Sequence, residues 1–324
     1  MEYFIGLDLG GTDLKGGMID REGNIIYKTK FPTRAELPPN EIVENMIHNI
    51  QDLISNSGIS KTAIKGIGFG APGLIDPVHG LLKTVCNIPS LDGVYLSPQI
   101  EKALNIPTFL DNDVNGMILG EYYYGAAKGY EHVIALTLGT GVGGGIILNG
   151  SIFRGASYTA GEIGHMSIDP SGILCPCGNY GCLERYVGRD AVVNRIKSYY
   201  EKKKFASSIN RYLEDGEITP KSVYEAAVDG DECARSVLEE TGRFLGIGLA
   251  NLVNIFNPQL IVIGGGLANA GEFIFQAAEL EMKKRAYWVP AEEVKIVPAA
   301  LKNNAGIVGT ASIAIDFLYN QNQE

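Results

Sequence analysis

The sequence predicts an α/β protein built from a duplicated unit, and three observations lead there. In the first part of the chain, apolar runs of strand length alternate with a polar turn and one amphipathic helical stretch, in the order strand, hairpin, helix, strand. The second half then repeats the first: FIGLDLGGTDLKGGMID at residues 4–20 aligns without a gap on VIALTLGTGVGGGIILN at 133–149, and KGIGFGAPG at 65–73 pairs more loosely with LIVIGGGLA at 260–268. A chain of 324 residues, 45% apolar and 20% charged, holds enough material for two domains with a core each.

Each element has its own signal. YFIGLDL reads as the first strand, and MIDREGNIIYKTKF as strand, polar turn, strand. PNEIVENMIHNIQDLISNSG reads as a helix. Its residues Ile42, Val43, Met46, Ile47, Ile50, Leu53 and Ile54 recur at helical spacing, with Asn40 as N-cap and Gly58 just past the end. AIKGIGFG is a further strand running into the loop APG. Residues 197–230 are polar and partly helical, and read as a surface insertion. The net charge of −10 argues against a general binder of nucleic acid or acidic membranes. With no run of 18 apolar residues and no signal-peptide pattern at MEYFIGLDLGG, the expected compartment is the cytoplasm.

Three glycine-rich turns follow apolar strands: Gly10, Gly11 and Thr12; Gly139, Thr140 and Gly141; and Gly264, Gly265 and Gly266. Glycine lets backbone N–H groups come close to an anion, though tight hairpins use it too. Three such turns, with hydroxyls at Thr12, Thr137 and Thr140, favour a nucleotide polyphosphate. Neither G-x-G-x-x-G opening a helix nor G-x-x-x-x-G-K-[ST] is present, which weakens Rossmann and P-loop readings. Asp8, inside an apolar run, should meet a cation, a donor or water: it either holds Mg²⁺ beside the phosphates or caps its own turn.

Residues 106–121, IPTFLDNDVNGMILGE, place Asp111, Asn112, Asp113 and Asn115 between a strand and a helix, where α/β proteins present chemistry and where helices are also capped. In LCPCGNYGCLE, residues 174–184, three of the chain's five cysteines fall within eight positions. A disulfide knot, a redox pair and a metal site compete for them. A reducing compartment disfavours the first and the absence of C-x-x-C the second, while C-x-C is tighter than common zinc-finger spacing.

Taken in order, DLGGT at 8–12, GAPG at 70–73, DNDVN at 111–115, LGTGVGGG at 138–145, GEIGHM at 161–166 and CPCGNYGCLE at 175–184 resemble the bacterial ROK family of sugar kinases and sugar-responsive repressors, most of all its ATP-dependent glucokinases. The resemblance spans nearly the whole chain. It implies a duplicated actin-like, hexokinase-like (ribonuclease H-like) fold with two domains around a cleft. Residues 1–111 plus 305–324 would form the smaller domain, completed by a final helix near 306–318, and residues 112–304 the larger.

The same resemblance implies the roles. Asp113 would be the general base toward the sugar hydroxyl that attacks ATP. Asn112, Asn87 and the backbone at Gly73 would bind the sugar from one side, and Glu162, His165 and Glu184 from the other. ATP and Mg²⁺ would lie against Asp8 and the glycine turns. His165, Cys175, Cys177 and Cys182 would hold a structural Zn²⁺, leaving Cys86 and Cys233 as ordinary thiols. A homodimer is implied as well.

The chain departs from the family where Asp13 follows G-G-T in place of a frequent lysine, with Lys15 two positions on. The first strand begins near residue 3, so no DNA-binding module is expected and no nucleic-acid partner. The expected reaction is phosphorylation of glucose. An N-acetylmannosamine or N-acetylglucosamine kinase and a catalytically silent sugar-binding regulator are the alternatives.

Overall fold

The computed structural model describes residues 1–201 and 208–320, and the chain divides into two compact units. Unit 1 comprises Met1–Glu131, Gly145–Ala160 and Ala299–Glu324; unit 2 comprises His132–Gly144 and Gly161–Pro298.

Unit 1 opens with β1 (Tyr3–Leu9), β2 (Asp13–Asp20), β3 (Ile25–Pro32), α1 (Pro39–Ser57) and β4 (Ile64–Ala71). A small antiparallel sheet, β5 (Leu74–Asp76), β6 (Leu81–Thr84) and β7 (Val94–Tyr95), precedes α2 (Leu96–Leu104), β8 (Thr108–Asn112) and α3 (Asp113–Tyr124). The main sheet runs β3-β2-β1-β4-β8, antiparallel through β3, β2 and β1 and parallel through β1, β4 and β8.

Of the later elements, β9 (Val133–Leu138), α4 (Glu184–Val187), α5 (Arg189–Glu201), α6 (Pro220–Val228) and α7 (Glu232–Phe256) belong to unit 2. The same unit holds β12 (Leu260–Gly264), α8 (Glu272–Arg285), α9 (Trp288–Glu293) and β13 (Lys295–Pro298). The unit boundary falls inside β10 (Val142–Leu148), which leads to β11 (Ser151–Ile152) in unit 1, and α10 (Ala305–Tyr319) also lies in unit 1. The second sheet runs β11-β10-β9-β12-β13, with β9, β12 and β13 parallel and β10 and β11 antiparallel. The internal repeat is therefore a repeat of topology: β1 and β2 correspond to β9 and β10, and β4 to β12. Two mixed sheets of one order make the duplicated actin-like, hexokinase-like fold.

Alternation along β1 explains the two-sided core of unit 1. Ile5, Leu7 and Leu9 join Ile42, Met46, Ile50 and Leu53 of α1, while Phe4 joins Ile307, Val308 and Ala311 of α10 on the other face. The α10 backbone comes so close that a methyl group at Gly6 would sit 2.1 Å from Ile307 O, and one at Gly68 1.9 Å from Thr310 O. These strand glycines serve helix packing rather than a ligand.

Three expectations change. Residue 111 does not divide the compact units: α3 packs on α10, which carries residues 112–131 into unit 1. Asn40 is not the N-cap of α1, because the helix starts at Pro39, and proline's fixed φ and missing N–H suit a first helical turn; Gly58 does end it in the left-handed conformation. Residues 197–230 are not all surface. Residues 202–207 of that span lie outside the described residues, but Ile209, Val223, Ala226 and Ala227 are fully buried in the unit 2 core. There α6 is fixed by a capping box between Thr219 and Ser222. Among the described residues, no helix is long and apolar enough to cross a membrane.

Candidate active site and metal centre

In unit 1 the expected site residues gather at the carboxyl ends of three adjacent parallel strands, where Asp8 pairs in register with Gly70, and Gly70 with Asp111. Asp8 is half-buried, and its Oδ2 lies 3.6 Å from Lys15 Nζ, its antiparallel partner on β2. A methyl group at Gly306, in the first turn of α10, would approach Asp8 Oδ2 to 2.6 Å, so the carboxylate also meets a helix N-terminus. Lys15 thus stands beside Asp8. The hairpin register, 9 opposite 14 and 8 opposite 15, was the signal that could have found it.

The turn at 10–12 is tight, with Gly10 N–H donating to Asp13 O at 2.9 Å; Thr33 closes it by donating its hydroxyl to Gly10 O at 2.7 Å and its N–H to Thr12 O at 2.9 Å. Exposed Asn87 stands beside it, 3.0 Å from where a Gly11 methyl would be.

Asn112 has both tasks that its position suggests. Its Oδ1 caps α3 by accepting Val114 N–H at 2.9 Å, while its Nδ2 donates to Gly73 O at 3.3 Å and ties β8 to the loop after β4. Asp113 follows as the first residue of α3, one oxygen accepting Val114 N–H at 3.0 Å. A methyl at Gly70 would lie 3.3 Å from Asp113 Cα, so Asp113 rides directly over the β4 backbone.

Beneath this turn lies a polar network whose distant members, Arg154, Asp316 and Tyr123, no motif announces. Asp111, 2% exposed, accepts Asn112 N–H at 2.7 Å and Asn115 Nδ2 at 2.8 Å on one oxygen, and Arg154 Nε at 2.7 Å on the other. Arg154 Nη2 reaches Asp316 Oδ2 at 3.3 Å, and Tyr123 donates its hydroxyl to Asp316 Oδ1 at 3.1 Å. Burial opposes the charge on Arg154, yet the two carboxylates outweigh it and raise its pKa; burial raises the Asp316 carboxyl against the pull of Arg154. Arg154 lies 43 residues from Asp111 and 162 from Asp316 along the chain, and its neighbours FRG form no pattern in sequence.

In unit 2 the two remaining glycine turns meet at the ends of β9 and β12, where Gly264 pairs with Thr137. Gly265 has φ +89°, and a methyl there would meet Leu138 O at 2.3 Å, whereas Gly139 and Gly266 face open space. Glycine at 265 is required by the backbone; at 139 and 266 the room is left for something else. Thr140 is exposed and Thr137 half-buried.

From the same turn the chain of residues leads to the cysteines: a methyl at Gly141 would lie 2.8 Å from Glu184 Oε2, while Glu184 Oε1 is 3.0 Å from Cys175 Sγ and 3.6 Å from His165 Nδ1. One ligand atom from each of His165, Cys175, Cys177 and Cys182 falls within 4.8 Å of the others. Cys177 Sγ to Cys182 Sγ is 3.7 Å and Cys175 Sγ to His165 Nδ1 3.8 Å. A disulfide requires about 2.05 Å, whereas a tetrahedral Zn²⁺ holds its N and S ligands roughly 3.5–3.8 Å apart. The donor set fits a cation. Metal-free, burial pushes the Cys175 thiol up to about 12 and raises Cys182, while the Asn179 N–H lowers exposed Cys177. His165 turns Nδ1 toward the sulfurs, leaving Nε2 on the side of exposed Glu162, 4.0 Å away. Cys233 is buried elsewhere and Cys86 is exposed.

Two sheets of one order, an aspartate-asparagine turn at a strand end and a His-Cys₃ loop define a class of duplicated, actin-like α/β proteins with a metal-ready loop. More narrowly, the chain belongs to the ROK family, which matches residues 4–317. It is 33% identical over 313 residues to a glucokinase of Thermotoga maritima, covering 95% of this chain and 96% of that one. A xylose repressor of Bacillus subtilis is 31% identical over 317 residues, 97% of this chain but 77% of the repressor. Among solved structures, a ROK family glucokinase from Streptomyces griseus in complex with glucose and AMPPNP superposes with a TM-score of 0.80 at 31% identity, covering 97% of this chain and 99% of that one.

Proposed function

We propose that this chain is an ATP- and Mg²⁺-dependent hexose kinase that converts glucose to glucose 6-phosphate. The observation that carries the reading is Asp113, set on the first turn of α3 directly after β8, with Asn112 tied to Gly73 beside it. The likeness to the two glucokinases supports it.

In this reading the sugar's 6-hydroxyl attacks the γ-phosphorus of ATP. A new O–P bond forms, the bond to the β-phosphate oxygen breaks, ADP leaves with the electron pair, and the hydroxyl proton passes to Asp113. An aspartate is a modest base, but phosphoryl transfer depends mainly on positioning and charge stabilisation, and the proton can leave late. Asn112, Asn87 and Gly73 take ring hydroxyls, and Glu162, His165 and Glu184 take others, since a carboxylate can accept from two neighbouring hydroxyls. Asp8 would hold Mg²⁺, directly or through water, and the cation would supply charge stabilisation to the phosphates. The glycine turns at 10–12, 139–141 and 264–266, with Thr137, receive the nucleotide. His165, Cys175, Cys177 and Cys182 would hold a structural Zn²⁺, which would steady the His165 ring and the segment carrying Glu184.

The test is coupled ADP release with Mg·ATP against glucose, mannose, fructose, N-acetylglucosamine and N-acetylmannosamine. Turnover led by glucose and lost in Asp113→Asn is the expected result. Preference for an acetamido sugar would move the substrate while keeping the mechanism. The xylose repressor's similarity supports a second reading, a sugar-responsive regulator. Sugar binding by calorimetry without turnover on any of the five would favour it.

A further inference from the structure

Resting on the kinase reading, we infer that Arg154 and Asp111 are positioning residues for the reaction: together they aim the turn that carries Asn112 and Asp113. Asp111 spends both of its oxygens beneath the turn. One oxygen gathers the Asn112 peptide N–H and the Asn115 amide, 2.7 and 2.8 Å away, which sets the orientation of the 111–112 peptide and of the first turn of α3. Asp111 is 2% exposed, and burying a carboxylate is costly unless a cation and hydrogen-bond donors meet it.

Arg154 Nε, 2.7 Å from the second oxygen, is that cation. Its guanidinium is itself fixed, by Asp316 at 3.3 Å and by the Phe317 ring, 4.8 Å from its centroid. Asp113 lies close against the β4 backbone, its Cα 3.3 Å from where a methyl at Gly70 would be. A displaced Asp111 side chain is therefore passed on to Asp113. Lysine does not replace the arginine, because its ammonium is a point charge on a flexible stem and lacks the fixed Nε–H that Arg154 aims at Asp111.

A purely structural role for this network is separable, because it has two branches. Asp316 shares Arg154 but does not touch the catalytic turn; Asp111 touches it directly. Steady-state kinetics on the full-length chain with Mg·ATP and the preferred sugar, alongside melting temperatures, would compare Arg154→Lys, Asp111→Asn and Asp316→Asn.

The expected result is that Arg154→Lys and Asp111→Asn lower kcat on the order of 10²-fold with KM for ATP within about twofold of the parent, while Asp316→Asn lowers the melting temperature by a similar amount but changes kcat by less than about threefold. If Arg154→Lys does not fold, Asp111→Asn, which keeps the shape of the side chain, decides alone. Equal kcat in Asp111→Asn and Asp316→Asn, or a kcat in Asp111→Asn within about threefold of the parent, would overturn the inference. A parent chain without turnover on any sugar would instead remove the kinase reading itself, so the two failures are told apart by the unmutated protein.

Discussion

The turn around Asp113 in unit 1 and the loop from Glu162 to Glu184 in unit 2 are held by opposite means. The first sits on a sheet, is capped by Asn112 and rests on buried Asp111 and Arg154, so ordinary side chains suffice to fix it. The second consists of short turns and isolated bridges, Ser167 to Cys182 and Leu174 to Tyr180, and nearly all of residues 170–180 are exposed. Little apolar surface is available there to order it, and four side chains able to hold a metal converge where a core would stand. The difference teaches that the rigidity of a site residue is inherited from whatever lies beneath it.

The comparison can be broken at several points. The largest effect belongs to Asp113→Asn, which should lower turnover by roughly 10²–10⁴-fold with an unchanged circular dichroism spectrum. Next is Cys177→Ser or prolonged chelation. Either should remove bound zinc, measured by elemental analysis, and raise KM for sugar by about 10–100-fold. If the Glu162 to Glu184 loop works equally well without metal, the contrast between the two regions collapses.

A smaller effect separates two neighbouring glycines. Gly265→Ala should destabilise by about 1–3 kcal/mol through its positive φ and the Leu138 carbonyl. Gly266→Ala should leave the melting temperature nearly unchanged while raising KM for ATP. Equal thermal losses at both positions would assign the turn to folding alone.

The smallest effect lies outside both regions, at Asp76 on β5. Burial raises this carboxyl, but the hydrogen bonds from the His79 ring and N–H, with Lys83 nearby, outweigh burial and lower its pKa. A lowered folded-state pKa gives stability that is present above the ordinary aspartate value of about 3.9 and is lost as pH falls through the lowered one. Asp76→Asn should cost about 0.5–1.5 kcal/mol by denaturant titration at pH 7, and less at pH 3.

What the sequence disclosed follows from how local each signal is. The paired strand-turn patterns at 4–20 and 133–149 expose the duplication because each is contiguous, and both sheets have the order that it implies. CPCGNYGC is legible for the same reason, and its three cysteines do converge with His165. Gly6 and Gly68, by contrast, look like any glycines in a glycine-rich strand until α10, some 240 to 300 positions later, is found against them. Arg154 and Asp316 escape for that reason too. Residues 197–230 misled through composition: their polar face dominates the count, while Val223, Ala226 and Ala227 point inward.

The position of α10 has a consequence for biosynthesis. The strands of unit 1 leave the ribosome first, but the helix that covers one face of their sheet, against Phe4 and Ile19, is made only after all of unit 2. Until then that face lacks its covering helix, and exposed apolar surface of this kind favours aggregation, whereas unit 2 already has its whole sequence available for folding. Any premature stop before Ala305 would therefore harm the part of the molecule synthesised earliest.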